Sequence, residues 1–206
     1  MTYQEAVNYI LEIPKFTKKN DREHTRAFLR YLGDPQEHMK VLHVAGTNGK
    51  GSVCAYLDGM LRSEGKRTGL FTSPHLVKMN ERIVTGGEQI SDAQFCAVFE
   101  KTRKAVESME AQGLAHPTFF EFLFGMALAA FAEAGTEYAV IETGLGGRLD
   151  ATSAVEDPAV CVITSIGLDH MEYLGHTLGE IAGRRRGSSA PASRCSMRRP
   201  RRKATA

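Results

Sequence analysis

The sequence predicts an α/β fold in which helices flank a mostly parallel sheet. Short continuous apolar runs, typical of buried parallel strands, alternate with longer segments whose apolar residues recur at helical spacing. A glycine-rich turn around Lys50 joins one of these strands directly to a helix. Strands that alternate with helices imply right-handed crossovers and a layered domain.

The first predicted elements are two helices and a strand. Thr2 and Glu5 have capping-box spacing, which predicts a helix that is ended by Pro14. A second helix is predicted over residues 21–32. The apolar residues between 41 and 44 then predict a short buried strand that runs into the glycine-rich turn.

The following segments continue the alternation. Helical spacing after the turn predicts a helix that ends at Gly65, residues 67–72 predict the next strand, and residues 73–89 predict a long loop with a hairpin. Ser91 begins a second capping box, which opens a helix to about residue 112. The remaining predicted elements are an apolar helix over 118–134 and strands over 138–141 and 159–164.

Composition favours a globular protein and excludes several other classes. The chain has 206 residues, 42% of them hydrophobic and 24% charged, which suits one sizeable domain. Its longest apolar stretch, residues 119–132, is interrupted by Glu121 and is shorter than the roughly 20 residues of a membrane span. There is no signal-peptide pattern. The four cysteines are far apart, which predicts free thiols. We therefore expect a cytoplasmic monomer with no membrane partner.

The charge is unevenly distributed. The formal net charge is +2, yet residues 184–206 contain eight Arg, one Lys and no acid, so residues 1–183 carry −7. Residues 184–206 have a low-complexity pattern, and we expect residues 1–183 to form a separate ATP-binding unit. A basic tail can bind nucleic acid, but this one has no aromatic residue for base stacking, so nucleic acid is only a low-probability alternative partner.

The segment "HVAGTNGKGS" predicts a phosphate-binding loop of the P-loop type. N–H groups of a glycine-rich turn at a helix N-terminus point at an anion, and a lysine reaches its terminal phosphates. The usual motif ends with Gly-Lys and then Ser or Thr, whose hydroxyl binds Mg²⁺. Here Gly51 holds that position and Ser52 comes one residue later. Another residue must therefore supply the metal ligand.

Candidates for that ligand follow the predicted strands. Ser73 follows "GLFT", Glu142 ends "YAVIE", and Asp169 and His170 follow "VCVITSIGL". The carboxyl ends of parallel strands share one sheet edge, where ligands of open α/β sheets bind. The glycine-rich segment "GLGGRLDAT" adds Arg148, a cation suited to an anionic ligand.

These residues resemble a known family, the folylpolyglutamate synthase and dihydrofolate synthase enzymes, which are relatives of the Mur ligases. The segments "HVAGTNGKGS", "LFTSPHL", "ERI", "PTFFEF", "ETGLGGRLDAT" and "SIGLDHMEYLG" are similar to those of the family, in the same order, and span about residues 2–183. The resemblance implies a P-loop-type fold, namely an incomplete Mur-ligase-like ATPase domain.

The resemblance also implies site roles. The residues implied to bind ATP are Gly46, Thr47, Asn48, Gly49, Lys50, Gly51 and Ser52. Those implied to bind Mg²⁺ are Ser73, Glu142 and His170, and those implied to border the folate-type substrate are Ser73, Pro74, His75 and Arg82. Lys50, Glu142 and His170 are the implied catalytic residues. In the family reaction, a folate carboxylate attacks the γ-phosphate of ATP to give an acyl phosphate, and the amine of L-glutamate then displaces phosphate.

The chain departs from the family pattern after Gly183. The family continues with Glu and a lysine that is carbamylated near the metal, followed by the rest of the ATPase domain and a glutamate-binding domain. Here Arg184, Arg185 and Arg186 follow, and a guanidinium does not take up CO₂ as a lysine amine does. We expect a frameshift-derived tail, a sheet edge exposed after residues 159–164, and a truncated, inactive ligase. The alternatives are a non-catalytic nucleotide-binding remnant and a generic P-loop kinase or NTPase.

Overall fold

The computed structural model describes residues 1–14, 20–144 and 150–167, the single positions 177, 179 and 181, and the backbone of 194–197. Within these residues it confirms the predicted α/β fold. The helices are α1 (Tyr3–Glu12), α2 (Arg22–Tyr31), α3 (Lys50–Ser63), α4 (Asp92–Glu110) and α5 (Phe119–Glu133). The strands are β1 (Lys40–Ala45), β2 (Thr68–Phe71), β3 (Ile83–Thr85), β4 (Glu88–Gln89), β5 (Tyr138–Glu142), β6 (Val160–Ile163) and β7 (Arg194–Met197).

The sheet has the strand order β4-β3-β2-β5-β1-β6-β7. The strands from β2 to β7 in this order are parallel, whereas β3 and β4 are antiparallel and form one edge. β1 lies between β5 and β6, with Val44 opposite both Glu142 and Val162. The carboxyl ends of these three strands therefore meet at one edge of the sheet.

The structure corrects the expected edge of the sheet. Residues 159–164 were expected to leave an exposed edge, but β7 pairs in parallel with β6, from Val160 opposite Arg194 to Ile163 opposite Met197. The hydrogen bonds between neighbouring strands join backbone groups, so a segment without an apolar sequence pattern can still pair with an open edge of the sheet. Residues 194–197 therefore contribute a strand although the tail has no core-forming pattern.

The two faces of the sheet pack against different helices. Successive strand residues point to opposite faces. In β5, Ala139 and Ile141 belong to the larger apolar cluster, which α1, α2, α4 and α5 complete, whereas Val140 packs in the smaller cluster under α3. By the same alternation, Glu142 lies on the α3 side. The register of one strand thus directs this carboxylate towards the start of α3.

Local sequence signals determine the helix starts and the hairpin. The capping boxes that begin at Thr2 and Ser91 are both formed, which confirms those two predictions. β3 and β4 are joined by Gly86 and Gly87, whose φ angles are +61° and +93°. A two-residue hairpin of this kind requires positive φ at both positions, so the predicted hairpin is also confirmed.

Two further observations concern the described part of the chain. No helix in it is long and apolar enough to cross a lipid bilayer. Cys54 is buried and Cys96 half-buried, and both are free thiols, as the cysteine spacing predicts.

Candidate functional site

The predicted phosphate loop, residues 46–52, connects β1 to α3 at the carboxyl edge of the sheet. Gly49, with a φ of +79°, is the N-cap of α3, and Lys50 is its first residue. The first N–H groups of a helix have no acceptor within the helix, and the helix dipole places partial positive charge there. The loop therefore has the strand–turn–helix geometry that the sequence predicts, and its binding of an anion stays a prediction.

Residues that follow β6 hold this loop in place. The N–H of Thr47 donates to the carbonyl oxygen of Ser165 (2.7 Å), and the N–H of Asn48 donates to Ser165 Oγ (3.1 Å). The hydroxyl of Thr164 donates to the carbonyl oxygen of Asn48 (2.8 Å). Thr47 Oγ1 also accepts from the N–H of Gly167 (3.0 Å).

These contacts were not predicted from the sequence. Thr164 and Ser165 do follow a strand at the carboxyl edge, which is the one signal that points to them. Their role depends on β6 lying next to β1, and the sequence does not give the strand order.

Lys50 and Glu142 lie together beside the loop. Lys50 Nζ is 3.9 Å from Glu142 Oε1, and the two side chains are 17% and 6% exposed. Lys50 Nζ also donates to the carbonyl oxygen of Thr47 (3.4 Å). Burial raises the pKa of Glu142, against the opposing effects of its bond to the N–H of Ser73 and the charges of Lys50 and Arg82. A buried carboxylate of this kind is stabilised by added positive charge.

The loop that contains Ser73, Pro74 and His75 reaches the same carboxylate. The N–H of Ser73 donates to Glu142 Oε2 (3.0 Å). Arg82, which is buried, donates from Nε to His75 Nδ1 (2.8 Å). Burial is the main cause that lowers the pKa of Arg82, while Glu142 and Glu81 act to raise it. The structure thus brings Ser73 to Glu142 and joins His75 to Arg82, two further predicted substrate-binding residues.

The other predicted residues are placed as follows. Ser52 is exposed in the first turn of α3, and Gly51 faces Glu142: a Cβ added to Gly51 would lie 3.7 Å from Glu142 Oε2. The predicted metal ligand His170 lies outside the described residues. So do Asp169, Arg148 and the arginines at 184–186.

The residues present fit a magnesium ion. Mg²⁺ prefers oxygen ligands, and a hydroxyl and a buried carboxylate stand at Ser73 and Glu142. Gly51 faces both oxygens of the buried Glu142 and has no side chain that would cover them. Within the described residues there is no cluster of three His, Cys, Asp or Glu side chains suited to a metal.

Comparison with known proteins gives the family. Residues 44–185 match the family model of the Mur ligase middle domain. The chain belongs to this family. It is 41% identical over 186 residues to the dihydrofolate synthase/folylpolyglutamate synthase of Bacillus subtilis, covering 90% of this chain and 43% of the relative.

Solved structures agree with this assignment of the Mur ligase domain. The apo folylpolyglutamate synthase of Lacticaseibacillus casei superposes with a TM-score of 0.90 at 35% identity, covering 96% of this chain and 48% of that one. A folylpolyglutamate synthase in complex with AMPPCP and folate gives a TM-score of 0.90 at 36% identity, with the same coverage. The resemblance to folylpolyglutamate and dihydrofolate synthases is therefore confirmed. The chain spans less than half the length of these relatives.

Proposed function

We propose that this chain carries the ATP site of a ligase that joins L-glutamate to a folate-type substrate. The observation that carries the proposal is the grouping of Lys50, the buried Glu142 and the N–H of Ser73 beside a glycine-rich helix terminus. Similarity to a folylpolyglutamate synthase bound to AMPPCP and folate supports both substrates. In this proposal residues 1–183 form the ATP-binding unit.

The phosphate loop would hold the triphosphate. The ammonium of Lys50 and the first-turn N–H groups of α3 place positive charge where the transferring phosphoryl group accumulates negative charge. Ser73, Glu142 and His170 are the proposed holders of Mg²⁺, which would supply further positive charge to the phosphates. Glu142 would also fix the start of the Ser73 loop through the bond to the Ser73 N–H.

The proposed reaction has two steps. The terminal carboxylate of the folate-type substrate attacks the γ-phosphorus of ATP, ADP leaves, and an acyl phosphate forms. The amine of L-glutamate then attacks the acyl carbon, loses a proton to solvent, and phosphate leaves. Ser73, Pro74, His75 and Arg82 would border the folate-type substrate. The chain contributes charge and proximity rather than a covalent nucleophile.

The proposed setting follows from the same residues. We propose a cytoplasmic monomer, supported by the free thiols of Cys54 and Cys96, which suit a reducing compartment. We propose small-molecule substrates rather than nucleic acid, because the net charge of −7 on residues 1–183 disfavours a polyanionic partner.

Binding and turnover measurements test the proposal. The purified chain is titrated with ATP and with tetrahydrofolate in the presence of Mg²⁺, and ADP release is followed with and without tetrahydrofolate and L-glutamate. We expect ATP binding that K50A weakens roughly 10- to 100-fold, because a charge-assisted contact is lost. The control K66A removes an exposed lysine beyond the far end of α3 and leaves ATP affinity unchanged.

The outcomes separate the competing functions. ADP release that depends on tetrahydrofolate supports the ligase. ATP binding with no effect of tetrahydrofolate supports the nucleotide-binding alternative, and ADP release independent of tetrahydrofolate supports a generic NTPase. Equal ATP affinities of wild type and K50A would contradict the assignment of the phosphate loop.

A further inference from the structure

The loop formed by residues 73–78 has an unusual surface. Leu76 and Val77 are 90% and 85% exposed, far more than most apolar side chains of the described chain. Hydrogen bonds nevertheless hold the backbone of this loop along one path. The contacts of this backbone show what holds it.

Glu81 binds the middle of loop 73–78. Its Oε2 accepts from the N–H of Leu76 (2.7 Å), and its Oε1 accepts from the N–H groups of Val77 (2.8 Å) and Lys78 (2.7 Å). These three backbone bonds lower the pKa of Glu81, the bond from Leu76 contributing most. One carboxylate therefore satisfies three consecutive N–H groups that would otherwise be left to water.

The two ends of loop 73–78 are held by other groups. At one end the N–H of Ser73 donates to Glu142. At the other end Lys78 Nζ lies 3.3 Å from Asp92 Oδ2 and 5.4 Å from the ring centroid of Tyr3. With both ends fixed, the carboxylate of Glu81 determines the path of the backbone between them.

We propose that Glu81 is a positioning residue for the folate-type substrate. It fixes loop 73–78 so that Ser73 stands beside Glu142 and His75 beside Arg82 while Leu76 and Val77 face outward, and it does so without touching the substrate. The proposal rests on the proposed function, since loop 73–78 borders the folate-type substrate there. A loop that is already ordered binds its ligand without a further loss of conformational entropy.

The test compares E81Q with E88Q. A glutamine at 81 has one acceptor oxygen and cannot accept all three N–H bonds, whereas Glu88 is an exposed residue of β4 and provides the same chemical change elsewhere. Site-resolved trypsin cleavage after Lys78 reports on the loop, and titrations with tetrahydrofolate and ATP report on the two substrates. E81D, which keeps the carboxylate, is the second variant.

We expect E81Q to speed cleavage after Lys78 by roughly tenfold or more, since at least one charge-assisted bond is lost. Tetrahydrofolate affinity falls by a similar factor, ATP affinity changes less than about twofold, and E81D lies between E81Q and wild type. Where turnover is measured, KM for the folate-type substrate rises and kcat is retained. E88Q behaves as wild type in every measurement.

Each contrary outcome has a definite meaning. Equal cleavage rates for E81Q and E88Q overturn the proposal, because Glu81 would not then hold the loop. Faster cleavage with unchanged tetrahydrofolate affinity also overturns it, because the loop would not then matter to the substrate. A wild-type chain that binds ATP but no tetrahydrofolate overturns the proposed function, and the cleavage rates still decide whether Glu81 fixes loop 73–78.

Discussion

Replacement of Gly46 by alanine tests how the phosphate loop is held. Gly46 has a φ of +147°, and a Cβ there would lie 1.9 Å from Thr164 Oγ1, 3.0 Å from Thr164 Cβ and 3.1 Å from the backbone N of Thr164. A different rotamer of Thr164 moves only Oγ1, so part of the overlap remains. Overpacking and backbone strain together predict a loss of about 2–4 kcal/mol in the free energy of unfolding.

A double-mutant cycle isolates the contact between the two residues. T164A alone removes the bond from its hydroxyl to the carbonyl oxygen of Asn48, at a cost of about 1 kcal/mol. In G46A/T164A the atom at 1.9 Å is absent, so we expect the double variant to lose at least about 1 kcal/mol less than the sum of the single variants.

Urea unfolding followed by far-UV circular dichroism measures the cycle, since the chain has no tryptophan. G49A is the matched control. Its φ of +79° gives backbone strain alone, because nothing lies within 4 Å of the added Cβ, and about 1 kcal/mol is expected. Additive effects of G46A and T164A, within about 0.5 kcal/mol, would refute the close approach.

Three further predictions concern other parts of the fold. G69A places a Cβ 2.5 Å from Cδ1 of the fully buried Phe131 and should lower the free energy of unfolding by about 1–3 kcal/mol. G59A, in α3 with open space around the added Cβ, should raise it slightly. Urea unfolding that ranks the two variants otherwise would contradict the packing between β2 and α5. Burial raises the pKa of Cys54, so little of it is thiolate at pH 8. Iodoacetamide should therefore alkylate the half-buried Cys96 in the native chain and Cys54 only after unfolding. Mass spectrometry of the labelled peptides checks this order. Bonds from Thr2 lower the pKa of Glu5, so the stabilisation by its charge is present above the ordinary pKa of 4.5 and is lost as pH falls through the lower folded value. Because a glutamine can form the same capping box, as Gln94 does, E5Q removes the charge alone. E5Q should therefore lower the urea midpoint at pH 7 and have a smaller effect as pH falls, and a difference that stays constant with pH would contradict the contribution of this charge.

The elements that were predictable from the sequence are those specified by neighbouring residues. The capping boxes that begin at Thr2 and Ser91 join residues three apart, and the Gly86-Gly87 turn fixes its own hairpin. The phosphate loop was predictable for the same reason, because a glycine turn between a strand and a helix is a local pattern. β7 has no such pattern, since pairing with β6 depends on an open edge rather than on side chains.

The contacts that escaped prediction join segments that are distant in sequence. Ser165 holds Thr47 and Asn48 only because β6 lies beside β1, and several strand orders are compatible with the same sequence pattern. The role of Glu81 escaped for a different reason. It is close in sequence to the N–H groups that it binds, but a single half-buried glutamate in a 3-10 helix of four residues gives no periodic or compositional signal.

The glycine that follows Lys50 lies beside Glu142. In the usual motif a hydroxyl follows the lysine, but here that position is Gly51, and a Cβ on it would lie in ordinary contact, 3.7 Å from Glu142 Oε2. That carboxylate already accepts from the N–H of Ser73. A serine hydroxyl at 51 could donate to the same carboxylate and would then compete with the N–H of Ser73 for it. The glycine at 51 therefore leaves the carboxylate of Glu142 to Lys50 and to the loop of Ser73.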